Sequence, residues 1–147
     1  MSTDRELLEL AAKAIGLEIK PTEVKNVTAQ EDDRFIGYLT KPEQWPRGWF
    51  DPLTDDGDAL RLAVDLRMSI SYGLRENTVY VGTAETAPWR EVALSEQDIP
   101  AATRRAIVRA AAEVGRAMLS NATAEDRAKL QGVLGTSTLI QDGGRNS

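Results

Sequence analysis

Four aspartates, Asp51, Asp55, Asp56 and Asp58, fall within one eight-residue stretch of the segment WFDPLTDDGDALRLAVDL. Carboxylates this dense are the raw material of a divalent-cation site or of acid–base chemistry. An EF-hand type of calcium loop needs acids at alternating positions, glycine at the sixth and a bidentate glutamate at the twelfth. Counted from Asp51, the sixth position is Asp56 and the twelfth is Leu62, so the ligand pattern fails. The same side chains suit another role. Ahead of an apolar helical run they accept hydrogen bonds from the free N–H groups of the first turn and favour the positive end of the helix dipole. Capping therefore fits better than metal binding. A carboxylate-based, metal-dependent enzyme ranks last among the functional readings.

The rest of the catalytic inventory is narrow. The chain holds no histidine and no cysteine. Ordinary zinc and haem ligation, Ser-His and Cys-His nucleophiles and disulfides are thereby removed. Acid–base work would fall to Asp, Glu, Lys or Tyr after strong environmental tuning. Neither a G-x-x-x-x-G-K-[ST] loop nor a G-x-G-x-x-G turn is present. The reading is a non-enzymatic protein with no cofactor and no metal.

Binding residues remain. Trp49 and Phe50 abut the helix that follows and read as core or lid; Trp45, among prolines and charges, is the better exposed aromatic. Arg104, Arg105, Arg109 and Arg116 recur on a long helical pattern, where Glu113 is spaced to pair with Arg109 and Arg116. A basic face in an acidic protein argues against direct nucleic-acid binding and leaves a protein partner open. The acidic run Glu31, Asp32 and Asp33 is its counterpart of opposite sign. The expected partner-binding set is thus Trp45, Glu31, Asp32, Asp33, Arg105, Arg109 and Arg116. An alternative uses the tryptophan-rich loop and the arginines of the long helix to sequester a nucleotide or other small ligand.

Elements must position these groups. Thr3 with Glu6 has the form of a capping box, and Leu7, Leu10, Ala11, Ala14 and Ile15 follow at helical spacing, with Gly16 as a stop. LEIK, VKNVT and RFIGYL read as short strands punctuated by Pro21 and the acidic run. Residues 41–52 read as a rigid, partly apolar loop that packs onto something. A second helix is predicted from Asp55 or Asp56 to about Arg67, its apolar surface of Ala59, Leu62 and Leu66 widened by Leu60, Ala63 and Val64. MSISYGL, TVYVGTA and WREVAL predict an antiparallel meander turned at LREN and ETAP. A third helix runs from Ile99 to Leu119, with Asp98 as N-cap, Pro100 in its first turn and an apolar stripe of Ile107, Ala111, Val114 and Met118. Asn121 or Thr123 caps a short fourth helix. The domain spans residues 1–134, followed by a flexible tail, 135–147.

Composition bounds the class. With 147 residues, 41% hydrophobic and 28% charged, the chain can bury one core. No apolar run approaches the ~18 residues of a membrane span, and the start lacks the pattern of a signal peptide, so a cytoplasm is expected. The net charge of -5 is uneven: residues 1–60 hold 13 acids and 7 bases, residues 99–147 hold 4 acids and 7 bases. Such a split can steer a charged partner, or leave helices simply carrying solvated charge of either sign.

The stretch WFDPLTDDGDALRLA, with Trp49, Pro52, Leu53 and Asp55 through Ala63, resembles the signature of the phage ABA-sandwich domain family. RELLELAAKAIG near the start and AATRRAIVRAAAEVGRAM near the end resemble that family's first and last blocks. The resemblance implies an α+β fold layered as an alpha/beta/alpha sandwich, a small antiparallel sheet flanked by helices. It also implies a phage or prophage origin and a location in the host cytoplasm. It brings no activity and no catalytic residues. The expectation that results is a binding protein that occludes a host protein or protein complex, in its sharpest form an anti-CRISPR-like inhibitor of host defence. A homodimer stays open.

Overall fold

The computed structural model describes residues 3–25, 33–73, 75–84 and 86–134, and within these the side chains outside 23–36 and 123–134. The described residues form an α+β fold, with three helices and two antiparallel sheets of three strands each. The chain divides into two compact units, Met1–Gly115 and Arg116–Ser147.

In the first unit, α1 (Asp4–Ala14) starts as its sequence predicts. Thr3 accepts from the Glu6 N–H while the Glu6 side chain accepts from the Thr3 N–H, which completes the capping box. Its end is a Schellman motif: the Gly16 N–H donates to Lys13 and the Leu17 N–H to Ala12, with Gly16 at φ 69°. Leu7, Leu8, Ala11 and Ala12 form its buried face.

The first sheet has the order β1 (Lys20–Lys25), β2 (Asp33–Leu39), β3 (Trp49–Phe50). Pro21 lies inside β1 and does not end it, opposite Tyr38; β1 is an edge, where a missing N–H is tolerated. Between β2 and β3 the predicted loop contains a 3-10 turn, Pro46–Gly48. Tyr38 and Phe50 pair across the strands and both are buried. On the other face Trp49 covers Gly37, where a Cβ would collide with the indole.

Helix α2 (Asp56–Asp65) buries Asp58, Ala59, Leu62 and Ala63. Leu60 and Val64, expected to widen that face, are 62% and 58% exposed. At 100° per residue they stand roughly 100–140° round from Ala59, beyond the reach of the core. The second sheet is the predicted meander, β4 (Ser69–Tyr72), β5 (Thr78–Gly82), β6 (Trp89–Val92), in that order and in unbroken register. Val79 and Val81 point into the core between outward Tyr80 and Gly82.

Helix α3 runs without interruption from Ile99 to Leu134, which corrects the expected stop at Leu119 and the separate fourth helix. Residues 119–123 contain no glycine or proline, and one Asn and one Thr cost only a few tenths of a kcal/mol each in a helix. Within the first unit α3 is buried on several sides at Ala106, Ile107, Val108, Ala110, Ala111 and Ala112, more broadly than one stripe. Small side chains let neighbours approach closely: at Gly115 a Cβ would overlap the Leu10 carbonyl of α1. In the second unit the described residues are the remainder of α3. No helix among the described residues is long and apolar enough to cross a membrane.

Candidate functional site

Two of the four aspartates, Asp55 and Asp58, bind backbone N–H groups. Asp55 is the N-cap of α2, its Oδ2 accepting from the Asp58 N–H at 2.8 Å. Asp58 is 2% exposed and accepts from the Asp51 N–H at 2.8 Å, which ties the chain ahead of the helix to its first turn. Asp51 in turn accepts from the Thr54 hydroxyl. Arg47 Nη2 lies 3.2 Å from Asp55 and 3.6 Å from Asp58. Burial pushes the Asp58 carboxyl above its ordinary 3.8; the Asp51 N–H, the Trp45 indole and Arg47 draw it back, and Asp55 pushes it up. The Trp45 Nε1 is near enough to favour the Asp58 charge yet outside hydrogen-bond geometry. Asp56 points elsewhere, to Arg104 at 2.6 Å. Among the described residues no group of three or more acids is arranged to hold a metal ion. The capping reading holds for Asp55, with Asp58 binding the backbone ahead of the helix, whereas Asp51 and Asp56 engage the Thr54 hydroxyl and Arg104.

Trp45 is 2% exposed, a correction to its expected place on the surface. Phe50 meets its ring edge-on at 5.2 Å between centroids, and Arg61 lies over it at 5.9 Å. Flanking prolines and charges gave no sign of this, because the cover comes from α2 and β3. The arginines are also engaged. Arg105 binds Asp4 of α1 at 3.0 Å. Arg109 lies over the Trp89 ring at 5.3 Å and 3.4 Å from Glu91, whose carboxylate also accepts from the Trp89 N–H at 3.1 Å. Arg104, outside the expected set, donates to the Leu53 carbonyl at 2.9 Å besides binding Asp56. These guanidinium groups tie α1, α2 and β6 to α3. Arg116 belongs to the second unit. Glu31 and Asp32 lie outside the described residues, and Asp33 is described only as the first backbone position of β2, opposite Lys25. The structure gives Trp45, Arg105 and Arg109 separate sets of neighbours within the first unit.

It assembles a different surface. Leu60 of α2, Ile70 and Tyr72 of β4, and Ile99 and Ile107 of α3 line a groove of about 360 Å³, bounded by Asp56 and Arg104. Tyr72 is 50% exposed and its hydroxyl is 3.1 Å from that of Thr103. Val64, one turn along α2 from Leu60, extends the exposed apolar surface of that helix. The helical wheel held the signal for Leu60 and Val64; the contribution of β4 is a tertiary matter. A second, wider hollow of about 580 Å³ lies over Ile19, Leu39 and Pro42, with Lys20 and Lys41 at its edge. The chain matches no protein-family model, no curated protein and no solved structure.

Proposed function

We propose that this is a protein-binding protein that acts by occluding its partner, with the groove between α2, β4 and α3 as the contact. The observation that carries this reading is the cluster of large apolar side chains left in solvent, Leu60, Val64 and Tyr72, beside a concave apolar floor. Contiguous exposed apolar surface rimmed by polar groups is characteristic of interaction sites, and a tyrosine is a frequent anchor there. The resemblance of three sequence blocks to the phage ABA-sandwich family supports a phage or prophage setting, in which the partner is a host protein or complex such as a defence nuclease.

Affinity capture from bacterial lysate at low salt tests it, with wild type beside a Leu60→Glu/Tyr72→Glu double variant and a Lys20→Glu control on the other hollow. The reading expects at least one partner that wild type and the control retain and the double variant loses. If everything retained were indifferent to the double variant, the groove would not be the contact.

A further inference from the structure

The groove between α2, β4 and α3 is electrically balanced. Its two charged side chains, Asp56 and Arg104, bind each other at 2.6 Å. The rest of its lining is apolar or hydroxylated, and β4, Ser-Ile-Ser-Tyr, carries no charge. Such a surface selects no occupant by sign, and it can meet its own copy without repulsion. The hollow over Ile19 and Leu39, with Lys20 and Lys41 against Glu18, keeps a net positive charge instead. Three of the four β4 residues are exposed, Ser69, Ser71 and Tyr72, which leaves the strand's outer edge open among the described residues.

The direction of the β4 backbone follows from one bond. The Gly73 N–H donates to the Thr78 carbonyl at 3.0 Å, which makes Gly73 and Thr78 a hydrogen-bonded pair. Antiparallel pairs alternate, so Ser71 with Tyr80 and Ser69 with Gly82 are hydrogen-bonded too. Ile70 and Tyr72 lie between them, and their N–H and C=O groups point away from β5 to the outer edge. The same two residues line the groove, whereas Ser71 faces the opposite side of the sheet. A second β4 laid antiparallel along this edge can use both outward residues in one register. It sets Ile70 opposite Tyr72 of the copy, Tyr72 opposite Ile70 of the copy, and Ser71 opposite itself on the twofold axis. A branched aliphatic opposite an aromatic is a favourable cross-strand pair, and symmetry makes it twice. The other edges suit this less. β1 carries Pro21 and a register shift, and β3 is two residues long. On β6 the bond from the Ala93 N–H to Asn77 turns Arg90 and Val92 outward, and the register that uses both sets Glu91 against its own copy, a like-charge contact.

Beyond the protein-binding reading and independently of it, we propose that a second copy of this chain occupies the β4 edge, about a twofold axis at Ser71. The β4–β6 sheets of the two copies join into one. Ile70 and Tyr72 exchange main-chain hydrogen bonds with Tyr72 and Ile70 of the other copy, and each Tyr72 packs on the opposite Ile70 along the groove. Main-chain pairing supplies the affinity in such strand addition, and the facing side chains supply the register. One short strand and a few side chains bury less than the ~1,200 Å² of a standard interface, so the dimer is weak and reversible. Each copy carries a net charge of -5, so salt strengthens this contact by screening, the reverse of its effect on an ionic one. Where the protein-binding reading also holds, partner and second copy compete for one groove.

Sedimentation of the full chain between about 1 μM and 1 mM is expected to show a mass that rises towards twice the monomer's, and more steeply with added salt. Over the same range the Ile70 and Tyr72 amides slow several-fold in hydrogen exchange, while Ser71, already bonded to β5, changes little. Ser71→Lys and Ser71→Glu each set like charges on the axis, on the side of the sheet away from the groove. Each alone is expected to stay monomeric and to keep the wild-type amide spectrum outside β4. Mixed in equal amounts, the two associate at least as well as wild type, which also shows that both are folded. A chain monomeric throughout, a dimer indifferent to either change or weakened by salt, or variants that fail to pair when mixed would each overturn the proposal. Both variants retain Leu60 and Tyr72, so lysate capture by Ser71→Lys tests the protein-binding reading alone. Capture without a dimer leaves that reading standing and removes this one; a dimer without capture does the reverse.

Discussion

Helices α1 and α2 share a plan and differ in where its parts are anchored. Each has an oxygen-bearing N-cap that accepts from the third residue of the helix, and each ends in a Schellman motif. In α1 the devices are local and exposed: Thr3 and Glu6 cap each other, and Gly16 takes the left-handed position. In α2 the cap is built into a buried network. Asp58 reaches back seven residues to the Asp51 N–H, Arg47 sits against both Asp55 and Asp58, and Arg67 takes the left-handed position at φ 52°. The Met68 N–H still donates to Ala63 and the Arg67 N–H to Val64, so the motif forms without glycine. The difference teaches that two helices of like plan can be anchored locally or through tertiary partners, and that only the α1 stop carries a glycine that marks it in the sequence.

The largest expected effect separates the two N-termini. Asp58→Ala leaves the Asp51 N–H without its acceptor and Arg47 without its buried partner, and is expected to cost about 3 kcal/mol in urea unfolding. Because folding raises the Asp58 pKa, its contribution is complete below 3.8, where the carboxyl is protonated in both states, and is lost as pH rises through the raised value. Wild type should therefore lose stability with rising pH relative to Asp58→Asn in that window. A flat difference between the two would mean that the buried network is not electrostatically distinct from an ordinary cap.

The next effect concerns the tertiary tie of α1. The Tyr38 hydroxyl donates to Glu9 at 2.5 Å, and burial first, then that bond, pushes its pKa from 10.0 up to about 12. The folded chain keeps a proton that the unfolded chain releases, so stability holds below pH 10.0 and drains as pH rises towards 12. The loss should be on the order of 2 kcal/mol and absent in Tyr38→Phe, as followed by denaturant titrations at alkaline pH.

Smaller effects test the local devices. Thr3→Ala and Gly16→Ala should each cost about 1 kcal/mol, the first through a lost cap and the second through a side chain forced to positive φ. Arg67→Gly should run the other way and raise stability by about 0.5 kcal/mol, since relief of left-handed strain exceeds the added freedom of the unfolded chain. Arg47, at φ 65°, makes the contrast sharper. Glycine there relieves the same strain but removes the cation beside Asp55 and Asp58, so the net change is a loss. Thermal melts that ranked Arg47→Gly with Arg67→Gly would refute a supporting role for that ion pair.

Much of the fold was legible in the sequence because its signals are short-range. The capping box at Thr3, the stop at Gly16, the acidic cap before α2 and the alternation of Val79 and Val81 each involve residues within a few positions of one another. The expected boundary after Leu119 was not real, since cap-forming residues at 121 and 123 are tolerated within a helix when nothing breaks it. The binding surface was the least legible part. Trp45 looked exposed and is covered by Phe50 and Arg61, whereas Leu60 and Val64 looked buried and stand in solvent. Hydropathy reports what a side chain would prefer, and the neighbours that satisfy it arrive from elsewhere in the chain.

By itself the sequence determined the α+β class, the strand meander, the places where α1 and α2 begin, and the lack of His and Cys chemistry. These are properties of residue type and spacing, and they persist in whatever way the elements later pack. Only the tertiary structure decided that Asp58 is buried, that arginines of α3 serve as ties to other elements, and that side chains of α2, β4 and α3 line one apolar groove. Each of these depends on which surfaces close over one another, and that is set by the summed fit of the core, to which no single stretch of chain contributes enough to be read in isolation.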